Sequence, residues 1–230
     1  MTDRPLILLH GALGDAGQLA PLAARLGSAR RITILELEGH GKSPFRDRPL
    51  RMETLAESVF EEMNSRGIER ADFFGYSMGG YLALQLAATH PERVERIATL
   101  ATKFAWTPEI AARETAMLDP ATIRAKVPKF AAALDQRHTG AGWEALLTQT
   151  ADLMRALGAQ PPLSDRVLAT IAMPVRIAVG DRDATVSIDE SASAARQLPQ
   201  GELEVHPRTP HPFEKAPLDR IVHSISEFLA

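Results

Sequence analysis

The pentapeptide Gly75-Tyr76-Ser77-Met78-Gly79 sets a serine two residues from a glycine on either side. That spacing suits a sharp turn in which side chains at the flanking positions would collide, and the turn lifts the serine hydroxyl clear of the backbone. A hydroxyl is a weak nucleophile until a neighbouring base takes its proton, so the chemistry depends on a histidine elsewhere in the chain. Seven are available. His10 and His40 each precede a glycine in a tight turn, His90 ends a helical pattern before Pro91, His138 falls in a helical stretch and His223 lies mid-helix. His211 stands between Pro210 and Pro212, which keeps it out of helices and central strands and in a loop. It is the favoured base, with His206, at the end of a strand-like run, as second choice. A third group must orient the imidazole, and Gly180-Asp181-Arg182-Asp183 offers two acids. Asp183 is favoured over Asp181, because an aspartate next to a turn glycine commonly caps its own backbone. Attack on a carbonyl also creates an oxyanion that needs backbone donors. The amide of Met78, at the start of a helix, supplies one, and the loop His10-Gly11-Ala12-Leu13-Gly14 supplies another through Ala12, with Leu13 the alternative. That loop lacks the glycine pattern of a phosphate cradle.

These residues need a scaffold that gathers loops on one side. Short apolar runs at Leu6–Leu9, Ile32–Leu37, Asp72–Gly75, Arg96–Ala101, Val175–Val179 and Glu202–Val205 read as strands, most of them buried on both faces. Helical patterns fit between them at Ala16–Leu26, Thr54–Ser65, Met78–Thr89, Ile188–Gln197 and Pro217–Phe228. Alternation of this kind predicts an α/β fold with a mainly parallel, doubly wound sheet of about six strands. Catalytic groups then collect at the carboxyl ends of the strands. Between 103 and 172 the rhythm changes to helical patterns alone, at Glu109–Leu118, Thr122–Gln136 and Trp143–Leu157, with Pro161-Pro162 and Ser164-Asp165 as an exit linker. The expected organisation is a core of residues 1–102 and 173–230 with a helical insertion at 103–172.

On these residues the chain resembles the serine hydrolases of the α/β-hydrolase superfamily, in their compact esterase-like form. His10-Gly11, Gly39-His40-Gly41-Lys42-Ser43, Gly75-Tyr76-Ser77-Met78-Gly79-Gly80, Gly180-Asp181-Arg182-Asp183 and Pro210-His211-Pro212 carry the resemblance across nearly the whole chain. It implies Ser77 as nucleophile, His211 as base, Asp183 as orienting acid and the Ala12 and Met78 amides as oxyanion donors. It also implies a carboxylesterase-like reaction on a small molecule with an ester-like carbonyl, no cofactor or metal, and a helical cap formed by 103–172. Two features depart from the family pattern. The sheet is expected to lack the family's first two strands, and Leu35-Glu36-Leu37-Glu38 stands where many relatives have aspartate and proline ahead of the glycine; Glu38 is expected to hydrogen-bond loop backbone, with a substrate role as the weaker alternative.

Composition narrows the field further. With 26 basic and 29 acidic residues in 230, the formal charge of −3 gives no electrostatic grip on nucleic acid or anionic lipid. Cysteine is absent, which removes disulfides, thiolate metal sites and a cysteine nucleophile. No apolar run approaches the length of a membrane span, and Leu6–Leu9 is too short for a signal peptide, so a cytoplasmic monomer or homodimer is expected. Substrate preference should come from the insertion, where Trp106, Met117, Phe130, Trp143 and Met154 offer apolar surface. Lys103, directly after the fourth strand, is a candidate partner for a substrate carboxylate, whereas Arg113, Arg124, Arg137 and Arg155 read as a solvated face. The same triad on this fold also runs C–C bond hydrolysis or lyase steps on carboxylate-bearing substrates, and some relatives act as small-molecule receptors; both stand as alternatives.

Overall fold

The computed structural model describes residues 4–27 and 30–230. Six strands form one parallel sheet: β1 (Leu6–Leu9), β2 (Ile32–Leu35), β3 (Ala71–Tyr76), β4 (Val94–Leu100), β5 (Val175–Gly180) and β6 (Gly201–His206). Their order across the sheet is β2-β1-β3-β4-β5-β6. The reversal of direction falls between β1 and β3, so the loops after these strands diverge and leave a crevice at their carboxyl ends.

Each central strand is buried on both sides, and alternate residues feed two cores. Ile7, Leu9, Phe73, Ile97, Val175 and Ile177 face α2 (Met52–Ser65), α3 (Met78–Thr89) and α9 (Ile188–Gln197). Leu6, Leu8, Phe74, Ala98, Leu100 and Ala178 face α1 (Ala16–Leu26) and α10 (Leu218–Phe228). Helix starts follow local chemistry: Asp15 accepts from the Gln18 amide at the head of α1, and Ser187 and Glu190 cap α9 reciprocally.

The chain between β4 and β5 contains only helices among the described residues: α4 (Pro108–Thr115), α5 (Pro120–Lys126), α6 (Pro128–Arg137), α7 (Trp143–Ala159) and α8 (Asp165–Leu168). Three details differ from the sequence-based expectation. The helix expected over Thr122–Gln136 is two helices, because Pro128 forces Val127 to an extended φ of −135° and lacks the amide a continuous helix needs. The stretch expected to be an exit linker contains α8, capped by Ser164. Strand β2 stops at Leu35 rather than Leu37, since the Leu37 amide donates to His10 Nε2 at 3.2 Å instead of joining the ladder.

Candidate active site

Strand β3 delivers Ser77 to the crevice, and α3 begins at the next residue. Ser77 sits at φ 52°, ψ −117°, a conformation that a side chain makes costly. Its neighbours fix it there. The Ser77 amide donates to the Leu100 carbonyl at 2.8 Å, and the Thr102 hydroxyl donates to the Ser77 carbonyl at 3.1 Å. The turn tolerates only hydrogen at the flanking positions: a Cβ on Gly75 would lie 2.4 Å from the Gly79 backbone, and one on Gly79 would lie 2.2 Å from the Leu9 carbonyl oxygen.

His211 arrives from the loop after β6. Its Nε2 lies 3.4 Å from Ser77 Oγ and its Nδ1 lies 2.8 Å from Asp183 Oδ2. A carboxylate partner assigns the proton to Nδ1, leaving the Nε2 lone pair directed at the serine. The loop is held from below by Tyr76, whose hydroxyl donates to the His211 carbonyl at 2.9 Å. Asp183, on the loop after β5, has a fully buried side chain. Its Oδ1 accepts from the Thr185 and Val186 amides, both at 2.8 Å. Burial alone would raise its pKa, but hydrogen bonds from His211 and the two amides, with the attraction of the imidazole, bring it below the ordinary value. The alternatives are occupied elsewhere. Asp181 Oδ1 accepts from the Thr209 amide at 3.2 Å and braces the histidine loop, while His206 is buried at the end of β6 beside Glu204.

Ala12 and Met78 flank Ser77 on the wall of the same cavity. Among the described residues neither amide meets a protein acceptor, so both stay available to an oxyanion. Leu13, the alternative donor, adopts φ 59° and turns its side chain into a cluster with Ile123, Leu134, Trp143 and Leu147. Its carbonyl accepts from His138 Nε2 at 3.1 Å and from Arg137 Nη1 at 3.0 Å. His138 Nδ1 in turn accepts from the Gly41 amide at 3.0 Å, which fixes the Nε2–H tautomer. The end of α6 therefore clasps the loops that follow β1 and β2. Arg137 belongs to this clasp, not to the solvated face expected of it. Arg113, Arg124 and Arg155 are exposed as expected.

The cavity encloses about 210 Å³. Met52, Leu153, Met154 and Leu157 make an apolar wall, and Lys103, Trp106 and Glu114 line it as well. Lys103 and Trp106 thus face the cavity that holds Ser77. Trp143 does not: it is buried in the cluster around Leu13, with the Arg124 guanidinium 5.5 Å from its ring centre. Met117 and Phe130 are also away from the cavity, being 66% and 44% exposed. Sequence reasoning missed Glu114, although its spacing of three from buried Ala111 places it on the inward face of α4. It also missed Met52 and Tyr81, which nothing in their local sequence sets apart. Glu38 is buried and accepts from the Arg46 amide at 3.1 Å, as expected, and additionally from Ser58 Oγ and Arg48 Nη2. Among the described residues no cluster of three His, Asp or Glu is arranged to hold a metal ion, and no helix is long and apolar enough to cross a membrane.

Comparison with known proteins agrees with this architecture. Over 98 residues the chain is 29% identical to Esterase YbfF of Escherichia coli (strain K12), a stretch covering 43% of this chain and 38% of that protein. Over 94 residues it is 32% identical to a pimeloyl-(acyl-carrier protein) methyl ester esterase of Neisseria meningitidis serogroup C, covering 41% of this chain and 35% of that protein. The matched stretch is thus well under half of either relative. Among solved structures, a thermophilic esterase from Thermogutta terrifontis superposes with a TM-score of 0.80 at 22% identity, over 99% of this chain and 90% of that one. The enol-lactonase from Burkholderia xenovorans LB400 gives 0.78 at 20% identity, over 100% and 92%. At such identities the likeness is one of fold. A family profile described as alpha/beta hydrolase fold matches residues 4–171, and the chain belongs to that family.

Proposed function

We propose that this protein is a serine hydrolase that cleaves an ester-like bond of a small molecule through an acyl-enzyme. The observation that carries the reading is the line Ser77 Oγ, His211, Asp183 opening into a partly open cavity. In the free enzyme a 3.4 Å serine–histidine separation is long for a hydrogen bond between them, and such contacts tighten when substrate binds.

This geometry supports the following steps. Ser77 Oγ attacks the carbonyl carbon as His211 Nε2 takes the hydroxyl proton, and the carbonyl electrons move onto oxygen, facing the Ala12 and Met78 amides. Collapse breaks the carbon–oxygen bond of the leaving alcohol, which departs with the proton from His211. A water then attacks the acyl-enzyme, gives its proton to His211 and releases the acid; the proton returns to Ser77. Asp183 stays ionised throughout and holds the imidazole in the working tautomer.

Ser77→Ala should abolish turnover of p-nitrophenyl acetate and labelling by a fluorophosphonate, with the circular dichroism spectrum unaltered. Turnover retained by that variant refutes the assignment. Labelling without turnover in the unaltered protein would point to a receptor on this fold.

A further inference from the structure

The cavity has a polar patch that the triad does not use. Lys103 Nζ and Glu114 Oε1 lie 3.8 Å apart on its wall, with side chains only 11% and 13% exposed. Lys103 is fixed from several directions. Its ammonium donates to the Thr185 carbonyl at 2.8 Å, and Glu190 Oε1 accepts from the Phe104 and Ala105 amides that follow it. The Trp106 indole donates to the Lys103 carbonyl at 3.2 Å, and the ammonium lies 6.0 Å from that ring's centre. Glu114 comes from α4, and the exposed Arg113 donates from Nη2 to the same Oε1 at 3.3 Å.

The separation matters. At 3.8 Å the two charges attract but do not share a direct hydrogen bond, so an oxygen or nitrogen able both to accept and to donate fits against them. A carboxylate would gain Lys103 and meet Glu114; an ammonium would gain Glu114 and meet Lys103. Lys103 is the sole lysine or arginine lining the cavity among the described residues, and Glu114 the sole carboxylate, so the wall presents one charge of each sign, while Arg113 pairs with Glu114 from outside the lining.

We propose that Lys103 and Glu114 form a binding subsite for an uncharged hydrogen-bonding group, a hydroxyl or primary amide on the substrate, and that Glu114 is the residue that excludes carboxylates. This rests on the hydrolase reading above and names its substrate class. On this proposal Glu114, rather than a substrate carboxylate as expected from the sequence, is the anion that faces Lys103.

The test uses p-nitrophenyl esters of matched acyl length ending in methyl, primary amide or carboxylate. The unaltered enzyme should favour the amide-ended over the carboxylate-ended ester in kcat/KM by about tenfold or more, since a charge-assisted contact is exchanged for a repulsive one. Glu114→Gln keeps a donor and an acceptor but frees Lys103, and should bring the two esters level or invert them. Lys103→Gln should widen the original preference. A Glu114→Gln ratio equal to that of the unaltered enzyme overturns the proposal, as does an unaltered enzyme that prefers the carboxylate. A binding measurement separates this from failure of the hydrolase reading. In a Trp143→Phe background, Trp106 alone reports, and glutaramate should quench its fluorescence at lower concentration than glutarate, with the order reversed by Glu114→Gln. If no ester is turned over the hydrolase reading falls, and the quenching order still decides the subsite; equal quenching by both ligands overturns it.

Discussion

Replacement of Asp183 by asparagine is a sharp test, because the structure dictates how the new side chain must sit. Oδ1 of Asp183 accepts two amides, from Thr185 and Val186, at 2.8 Å each. An amide nitrogen turned toward those two donors would leave two buried N–H groups unpaired, at about 1–3 kcal/mol apiece. The asparagine oxygen therefore keeps that position, and its NH2 points at His211 Nδ1. The imidazole must then accept at Nδ1 and carry its proton on Nε2, where the Ser77 hydroxyl needs an acceptor. Geometry survives while the base is lost. The expected fall in kcat is about 10⁴-fold, the size a tautomer inversion has in serine hydrolases with this constellation, or about 5.5 kcal/mol of barrier. Stability should fall by only about 1–2 kcal/mol, the difference between charged and neutral partners. Steady-state turnover of a p-nitrophenyl ester and urea unfolding read the two quantities separately. A variant within tenfold of the unaltered kcat, at unaltered stability, would refute the tautomer argument.

Two further outcomes follow from buried histidines. His138→Ala removes the donor to the Leu13 carbonyl and the acceptor for the Gly41 amide, so the Ala12 amide loses its support; kcat should drop about 10–100-fold with little change in KM, somewhat less than the loss of an oxyanion donor itself. His138→Gln, which keeps an acceptor and a donor on one planar group, should recover most of the loss, and equal kcat for both variants would show that the clasp does not act on catalysis. Burial also lowers the pKa of His40, His138 and His206 below the ordinary 6.5, with neighbouring His10, Arg137 and Arg220 adding to it. The unfolded chain therefore takes up these protons first, and stability is lost as pH falls below 6.5, at most about 1.4 kcal/mol per pH unit for each histidine. The urea midpoint at pH 5.5 should lie clearly below that at pH 7.5; equal midpoints would contradict the assignment of these imidazoles as neutral.

What the chain reveals to a reader of its sequence depends on how local the determining physics is. Strand β1 was legible to the residue because Leu6–Leu9 is apolar on both faces and bounded by Pro5 and His10. The alternating cores follow from the same pattern. Ser77 and His211 could be singled out because glycine admits a tight turn that other residues resist, while proline fixes φ and removes a donor, so both leave a local mark in the sequence. The acid is a harder case. Asp181 and Asp183 share one turn, and what separates them is a pair of amides and an imidazole that only the folded loop assembles. Trp143 marks the limit. A tryptophan at the first position of a helix has no face until its neighbours are known, and here Leu13 and Leu147 draw it away from the cavity. Glu114 escaped notice for the converse reason: an acid on a short, largely exposed helix reads as solvated, and only the approach of Lys103 from the end of β4 gives it a partner on the cavity wall.

The helical segment after β4 does more than cover Ser77. Glu114 of α4 and Leu153 and Leu157 of α7 line the cavity, so the segment decides which groups fit there. His138, at the end of α6, holds the Leu13 carbonyl, one residue from the Ala12 amide proposed as an oxyanion donor. On the proposed mechanism, selection and rate share one structural element. A change that widened the cavity by shifting α7 would also pull on α6 through the packing of Leu134 against Trp143 and Leu147, and hence on Leu13. A substitution at Glu114, whose side chain faces Lys103 on the cavity wall, lies outside that cluster. Altered specificity without loss of rate is therefore to be sought at Glu114, whereas rearrangements of α7 should trade breadth of substrate against kcat.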